Sequence, residues 1–359
     1  EIRLSLVGSE MCIRDRIYLV ARLAPGFAGT TWWLPITLTL GLGTMVFGGW
    51  VALRQYDLKL ILAYGTVSQL GFITAVVSFG TADTAMAGLA MVMAHGLFKA
   101  TLFLTVGIID HQAGTRDIRR LSGVAGKAPQ LLVVAVIGAA SMAGVPPLLG
   151  FVTKEAVLTA FVDALPEPLA VTALVCVVVG SVLTFAYSAR FVWGGFARKP
   201  GRFSGLETSP DGQSVVGAFT PVRWDFLAAP AVLALVTVVL GLWPAPLEAG
   251  ITPYQELFPG AAQSHVHLEL WHGFTPALGL SALVIAAGAA LYAARRSVGQ
   301  FQSRLPEVPS GDFVYRKVIN VLDLLAVWLT GRTQRGSLMF YLSVILVTAL
   351  VAPLVALFW

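Results

Sequence analysis

Two titratable side chains lie within an apolar stretch, MVMAHGLFKATLFLTVGII, at residues 91–109. His95 and Lys99 stand four residues apart, so a helix would place both side chains on one face. A lysine at the centre of a membrane span costs about 2.5–3.5 kcal/mol on insertion scales, and such groups usually face a wet cavity or one another. Burial makes an amine easier to deprotonate, and histidine titrates near neutral pH. The pair is therefore predicted to transfer protons. A structural lysine bonded to backbone carbonyls is the alternative interpretation.

A second pair of charged residues follows two consecutive prolines in the stretch GVPPLLGFVTKEAVL. Pro146 and Pro147 lack backbone donors, so a helix must break there. A broken helix at membrane depth is tolerated only where protein buries it or where it lines a cavity, and it commonly marks an ion site in transporters. Lys154 is therefore predicted to act in ion transfer, and Glu155 is a weaker candidate. A Lys–Glu pair at the interfacial end of a short helix is the alternative interpretation.

Lys59 opens another apolar run, RQYDLKLILAYGTVSQLGF. A role in proton transfer and simple snorkelling towards the membrane surface explain this position about equally well. Further along the same run, Tyr64, Ser68 and Gln69 are polar. They could hydrogen-bond a file of water molecules, or they could bind neighbouring helices.

The sequence predicts neither a metal site nor a cofactor. His265, His267 and His272 lie in the segment HVHLELWH, but this alternation is weak evidence for metal binding. Cys12 and Cys176 are isolated, so they form no iron–sulfur or zinc motif. No phosphate loop, nucleophile elbow or dinucleotide fingerprint appears in these spans, and the chain is expected to be part of an ion path without bond chemistry of its own.

Long apolar helices must hold these residues. Hydrophobic residues make up 57% of the 359 residues and charged residues 12%, and the mean hydropathy is +0.79. Soluble domains have about 45–50% apolar and about 25% charged residues. Runs of about 20 apolar residues can cross a bilayer. The predicted fold class is all-α: a polytopic transmembrane helical bundle with a discontinuous helix around 146–154. The predicted spans are residues 32–53, 60–79, 86–109, 130–162, 169–193, 225–243, 273–294 and 337–357.

Loop charges predict the orientation of these spans. Lysine and arginine gather in three loops, which the positive-inside rule places in the cytoplasm: residues 110–129, 194–223 and 295–336. The connections at 80–85, 163–168 and 244–272 contain neither residue and are placed outside. The net charge of +5 follows from this bias. Binding to nucleic acid is not expected, because no basic stripe with interleaved aromatic residues appears.

Residues 312–330 form a separate helical pattern within the last of these loops. Their apolar side chains recur at helical spacing and their charged ones lie elsewhere, which is typical of a helix in the membrane interface. A peripheral packing helix is the alternative interpretation. The apolar positions are Val314, Val318, Val321, Leu322, Leu325 and Leu329.

Four motifs resemble the antiporter-like subunits shared by respiratory complex I and the Mrp-type sodium/proton antiporters. They are DLKLILAYGTVSQLGF, MAHGLFKATLFLTVGII, GTRDIRRLSGV and GVPPLLGFVTKEAVL. The matching region covers roughly residues 17–196, and the motifs follow one another in the same order as in the family. The resemblance implies a fourteen-helix core built from two inverted five-helix repeats, each with a broken helix, and protons moving along a hydrated axis.

The resemblance also implies a role for each candidate residue. Lys99 resembles the family's central connecting lysine, and His95 the histidine one turn before it. Lys154 resembles the lysine of the second broken helix, facing the exit path. Lys59 resembles the lysine before the family's LAYSTxSQxG motif, in which this chain has Gly65 where serine is frequent.

Comparison with the family predicts the organisation of the chain. Residues 1–16 are expected to be a non-native leader, and 17–196 the second half of the proton-translocating domain, so that the chain would be truncated at both ends. Residues 197–223 are predicted to be a cytoplasmic loop and 224–359 a C-terminal transmembrane region. The segments HLELWHGFTPALGLSALVI and TGRTQRGSLMFYLSVILVTAL in that region resemble the Mrp branch. Residues 295–336 have no room for the long lateral helix of the complex I branch.

The function implied by this resemblance is proton translocation in a multisubunit antiporter that exchanges Na⁺, or else Li⁺ or K⁺, for protons. The expected partners are the other subunits, and the expected location is the bacterial plasma membrane. Two alternatives stay open from the sequence: a proton-pumping membrane subunit of an NADH–quinone oxidoreductase without its own redox centre, and a non-conducting fragment.

Overall fold

The computed structural model describes residues 17–199, 222–304, 311–333 and 337–358. These ranges are helical, apart from turns, loops and one isolated β-bridge between Asp57 and Asp117. The predicted leader and most of the predicted loop at 197–223 lie outside the described residues. The helices are α1 (Ile17–Phe27), α2 (Trp33–Ala52), α3 (Leu58–Val77), α4 (Ala82–Ala113), α5 (Val124–Lys127), α6 (Pro129–Ala143), α7 (Leu149–Asp163), α8 (Pro168–Phe196), α9 (Trp224–Leu242), α10 (Ala245–Gln255), α11 (Pro276–Ala293), α12 (Arg295–Arg304), α13 (Gly311–Thr333) and α14 (Leu338–Leu357).

Seven helices in the described ranges are long and apolar enough to cross a membrane: α2, α3, α4, α8, α9, α11 and α14. The predicted class, an all-α multi-pass membrane protein, is confirmed. The chain divides into two compact units, Glu1–Gln302 and Ser303–Trp359. In the first unit, α3 and α4 lie in the core, with buried side chains along most of their length. In the second unit, the described side chains of α13 and α14 are almost all exposed.

Helix α4 is longer than the predicted span 86–109. It has 32 residues because local capping extends both ends. Thr81 and Thr84 form a reciprocal capping box at the start, and Gly114 adopts a left-handed conformation with φ 64° at the end. The outer connection predicted at 244–272 also contains a helix that the sequence analysis did not predict, α10.

The predicted discontinuity lies between α6 and α7. Helix α6 ends at Ala143 and is capped by Gly144, which has φ 81°, and α7 starts after Leu148, whose backbone is extended. The Ser141 hydroxyl accepts a hydrogen bond of 3.1 Å from the Gly150 N–H, so α6 satisfies one of the free donors at the start of α7. Helix α9 covers the break: a Cβ atom at Gly241 would lie 2.3 Å from the Pro147 carbonyl oxygen. Helix α9 therefore packs against one side of the broken backbone, whereas Pro146 and Pro147 themselves are exposed.

Helix α13 occupies the region of the predicted interfacial helix at 312–330. Its described side chains, from Tyr315 to Arg332, are exposed on every face of the helix. Its location in the membrane interface stays a prediction.

Gly150→Ala tests the contact that holds the two half-helices together. An alanine Cβ would lie 1.8 Å from the Ser141 carbonyl oxygen, so the backbone of α6 or α7 must move. Overpacking of this kind costs about 1–3 kcal/mol. We expect a lower midpoint of thermal unfolding, measured on the purified protein in detergent. Gly107→Ala is the control, because no atom lies within 4 Å of its Cβ position. Equal midpoints for the two variants would contradict the described packing of the break.

Candidate proton-transfer site

Lys99 and His95 are buried on α4, with exposed fractions of 1% and 3%. The Lys99 ammonium group donates a hydrogen bond of 3.1 Å to the carbonyl oxygen of Leu62 on α3. The His95 ring contacts the ring of Phe98 edge-on, with 5.5 Å between the ring centroids. Both predicted residues therefore face the interior of the first unit, and Lys99 makes the carbonyl contact that the alternative interpretation describes.

Gly65 makes room for the Lys99 ammonium group. A Cβ atom at this glycine would lie 3.1 Å from Lys99 Nζ and 3.0 Å from the ring of Tyr187 on α8. The Tyr187 hydroxyl donates a hydrogen bond of 3.5 Å to the Gly65 carbonyl oxygen. The glycine that departs from the family's frequent serine thus lies where α3, α4 and α8 meet.

Lys154 lies at the break and has an exposed fraction of 6%. Its ammonium group donates a hydrogen bond of 2.9 Å to the carbonyl oxygen of Met142. In a continuous helix that carbonyl would accept from the N–H of residue 146, which is a proline and has none. The proline that breaks the helix therefore frees the acceptor that Lys154 uses.

A small cavity borders the Lys154 side chain. Its volume is about 10 Å³, roughly the space that one water molecule occupies. Its wall is formed by five helices, α3, α6, α7, α8 and α11, and by the turn after α6. Besides Lys154, the lining residues are Phe72, Ala143, Gly144, Leu158, Val177, Ser181, Ser281 and Val284.

Glu155 bonds to α11 and not to the neighbouring lysine. Its carboxylate accepts hydrogen bonds from the hydroxyls of Ser281, at 2.6 Å, and Thr275, at 3.4 Å. The exposed fraction of Glu155 is 3%. No ion pair between Lys154 and Glu155 occurs in the described part of the chain, and both side chains are buried. This arrangement differs from an interfacial Lys–Glu pair.

Lys59 is the second residue of α3 and is half-buried. Asp57 caps the helix there by accepting hydrogen bonds from the backbone N–H groups of Lys59 and Leu60. Lys59 precedes Leu62, the acceptor of Lys99, by about one turn. A position at the helix end fits snorkelling as well as proton transfer, so its role stays a prediction.

Two of the three histidines of the segment HVHLELWH bond to α10 or within the segment itself. His267 is 2.9 Å from the Glu248 carboxylate through Nδ1, and Nε2 of His272 lies 3.1 Å from the His267 carbonyl oxygen. Among the described residues, no three histidine, cysteine, aspartate or glutamate side chains are grouped as metal ligands.

Sequence analysis missed the buried polar residues of α8. Thr184 and Tyr187 both accept hydrogen bonds from the Gln69 amide nitrogen, at 2.9 and 3.4 Å. The available signal was the spacing of Ser181, Thr184 and Ser188 along an otherwise apolar helix. Of the polar residues noted on α3, Ser68 donates to the Met45 carbonyl oxygen at 2.6 Å, so it binds a neighbouring helix.

Comparisons with known proteins agree with the fold. A family model described as "NADH:quinone oxidoreductase/Mrp antiporter, TM" matches residues 13–184. The A subunit of the Na⁺/H⁺ antiporter of Alkalihalophilus pseudofirmus is 36% identical over 310 residues, covering 79% of this chain and 37% of that protein. The A/B subunit of a probable K⁺/H⁺ antiporter of Rhizobium meliloti is 35% identical over 298 residues, covering 80% of this chain and 28% of that protein.

A solved structure is also similar. One chain of the Mrp complex from Dietzia sp. superposes with a TM-score of 0.77 at 31% identity, covering 95% of this chain and 36% of that chain. The protein described here therefore belongs to the family of transmembrane subunits shared by NADH:quinone oxidoreductases and Mrp antiporters. Within that family it is similar to the A subunits of Mrp-type Na⁺/H⁺ antiporters, and it spans well under half the length of the relatives compared.

Ser281→Ala tests the link between Glu155 and α11. The variant removes the shorter of the two described hydrogen bonds to a buried carboxylate, and hydrogen bonds to charged groups contribute about 1.5–3 kcal/mol. We expect a lower midpoint of thermal unfolding for the detergent-solubilised protein. Ser343→Ala is the control, because that hydroxyl donates to a carbonyl of its own helix on an exposed face. An unchanged midpoint in Ser281→Ala would show that the link does not stabilise the fold.

Proposed function

We propose that this chain carries part of the proton path of a multisubunit monovalent cation/proton antiporter. In this proposal Lys99, His95 and Lys154 pass protons within the membrane, and residues 17–196 form the translocating region. The similarity to the A subunits of antiporters favours this function over a role in an NADH–quinone oxidoreductase. Na⁺ is the proposed cation, because a Na⁺/H⁺ antiporter is the source of one of the relatives compared.

The observation that carries the proposal is the burial of two lysines inside a helical bundle. Lys99 and Lys154 each donate to a carbonyl of another helix, so neither amine is directed at lipid. A lysine kept from water can lose its proton more easily than one at the surface. Two such amines and a histidine in one bundle provide groups that can take up and release protons in turn.

The proposed partners are the other subunits of the complex, and the proposed location is the bacterial plasma membrane. Several helices of the first unit present apolar residues on their outer surfaces, for example Leu40 on α2 and Leu235 on α9. Such surfaces suit contacts with lipid or with further membrane subunits.

Lys99→Ala and Lys154→Ala test the proton role, each in the complete protein within its assembled complex. Removing either amine interrupts the transfer, and loss of a group that carries protons lowers rates by about 10²–10⁴-fold. We expect Lys99→Ala to abolish Na⁺-dependent proton flux in inverted vesicles and Lys154→Ala to reduce it strongly.

The control for these two variants is Lys127→Ala, because Lys127 is an exposed lysine after α4. It should leave the flux unchanged. Wild-type flux in Lys99→Ala, with normal amounts of assembled complex, would refute the proposed function.

Lys59→Ala distinguishes transfer from snorkelling at the start of α3. If Lys59 belongs to the proton path, the same vesicle assay should show a smaller decrease than Lys99→Ala, because Lys59 is half-buried at a helix end. Full activity in this variant would mean that Lys59 only anchors the helix near the membrane surface.

A further inference from the structure

Helix α8 has a row of buried polar side chains on an otherwise apolar surface. Ser181, Thr184 and Tyr187 follow one another at three-residue intervals, and their exposed fractions are at most 4%. Polar groups inside a membrane bundle are costly unless they have partners, and they often mark a path for ions or protons. The two ends of this row lie beside the two buried lysines of the proposed function.

The Tyr187 end of the row lies beside Lys99. The Tyr187 ring and Lys99 Nζ both border Gly65, within 3.0 and 3.1 Å of the position that a Cβ atom would take. The Tyr187 hydroxyl donates to the Gly65 carbonyl oxygen and accepts a hydrogen bond of 3.4 Å from Gln69 Nε2. The Tyr187 hydroxyl therefore links Gln69 to Gly65, the residue beside Lys99.

The Ser181 end of the row lies beside Lys154. Ser181 and Lys154 line the same small cavity. Thr184, one helical turn further along α8, accepts a hydrogen bond of 2.9 Å from Gln69 Nε2. Because the Gln69 amide bonds to both Thr184 and Tyr187, it lies between the surroundings of the two lysines.

The amide oxygen of Gln69 is a buried acceptor to which the described residues donate no hydrogen bond. Gln69 is fully buried, and its Oε1 has no hydrogen-bond partner among the described residues. The neighbouring hydroxyls cannot supply one as they stand, because Thr184 donates to the Gly180 carbonyl oxygen and Tyr187 to that of Gly65. A buried acceptor with polar neighbours is a site that suits a water molecule.

We propose that Gln69 is a positioning residue that holds a water file between Lys99 and Lys154, with Thr184 and Tyr187 fixing its amide. This inference rests on the proposed function. Ser181 and Tyr187 are six positions apart on α8, which is about 9 Å along the helix axis, so the file runs beside this stretch of α8.

The transfer is balanced in protons and charge. The Lys99 ammonium group gives one proton to the first water, each water passes one proton to the next, and the Lys154 amine takes up the last. Lys99 becomes neutral, Lys154 becomes charged, and Gln69 keeps both of its amide protons. The Gln69 amide oxygen accepts a hydrogen bond from a water and so orients the file.

The test uses Gln69→Met, which keeps the length of the side chain and removes its hydrogen-bonding groups. In the complete assembled complex, we expect Na⁺-dependent proton flux in inverted vesicles to fall at least about tenfold, since misplacing a reacting group by 1 Å can cost 10²-fold. The ratio of fluxes in H₂O and D₂O should rise, because passage through the disturbed file becomes rate-limiting. A purely structural role would not change this ratio.

A pair of variants at Thr184 provides an independent test if Gln69→Met fails to assemble. Thr184→Val removes the hydroxyl that fixes the Gln69 amide, whereas Thr184→Ser keeps it. We expect low flux in Thr184→Val and restored flux in Thr184→Ser. Thr172→Val is the matched control on α8, because its exposed hydroxyl donates to the Pro168 carbonyl oxygen of its own helix.

The outcomes separate this inference from the proposed function. If Lys99→Ala is inactive while Gln69→Met keeps wild-type flux and isotope ratio, the water file is refuted and the proton role of Lys99 stands. Equal fluxes in Thr184→Val and Thr184→Ser also refute the water file. If Lys99→Ala keeps its flux, the proposed function itself fails.

Discussion

The structure depends on backbone carbonyl groups that bind buried ammonium groups. Lys99 donates to Leu62 on α3, and Lys154 donates to Met142 at the end of α6. A buried charge without partners is very unfavourable, and a hydrogen bond to a carbonyl oxygen offsets part of that cost. For Lys154, no carboxylate lies within ion-pair distance in the described part of the chain. A neutral acceptor of this kind opposes loss of the proton less strongly than a carboxylate would.

The two lysines obtain their carbonyl partners in different ways. The Met142 carbonyl is available because Pro146 has no N–H and cannot continue the hydrogen bonds of α6. The Leu62 carbonyl lies inside the regular helix α3, where it also accepts the Thr66 hydroxyl at 2.8 Å. Lys99 reaches it in the space beside Gly65, where a side chain would approach Nζ to 3.1 Å. One site therefore results from a broken helix and the other from close approach of intact helices.

Local sequence was sufficient to predict the class of fold, most of the spans and the break. Apolar runs and consecutive prolines act within a few residues, so their effect can be read without tertiary contacts. The extended ends of α4 were missed because they depend on the capping box of Thr81 and Thr84 at the start and on left-handed Gly114 at the end, whereas the prediction followed hydropathy alone. Helix α10 was missed because its composition is too polar to resemble a span.

The partners of the candidate residues could not be predicted in the same way. Gln69 and Thr184 are 115 residues apart in sequence, and Glu155 and Ser281 are 126 apart. Helical periodicity indicates which residues share a face but not which helix lies opposite. The sequence therefore placed His95 and Lys99 together, whereas the contribution of α8 and the acceptors of Glu155 became evident only from the packing of the helices.

The bond from Glu155 to α11 has a consequence for biosynthesis. Helix α7 contains a lysine and a glutamate side by side, and the hydroxyl donors of the glutamate are synthesised more than a hundred residues later. When α7 first leaves the ribosome, its carboxylate has neither of these partners, so the half-helix is poorly suited to lipid. The carboxylate gains both partners only once α11 packs against α7.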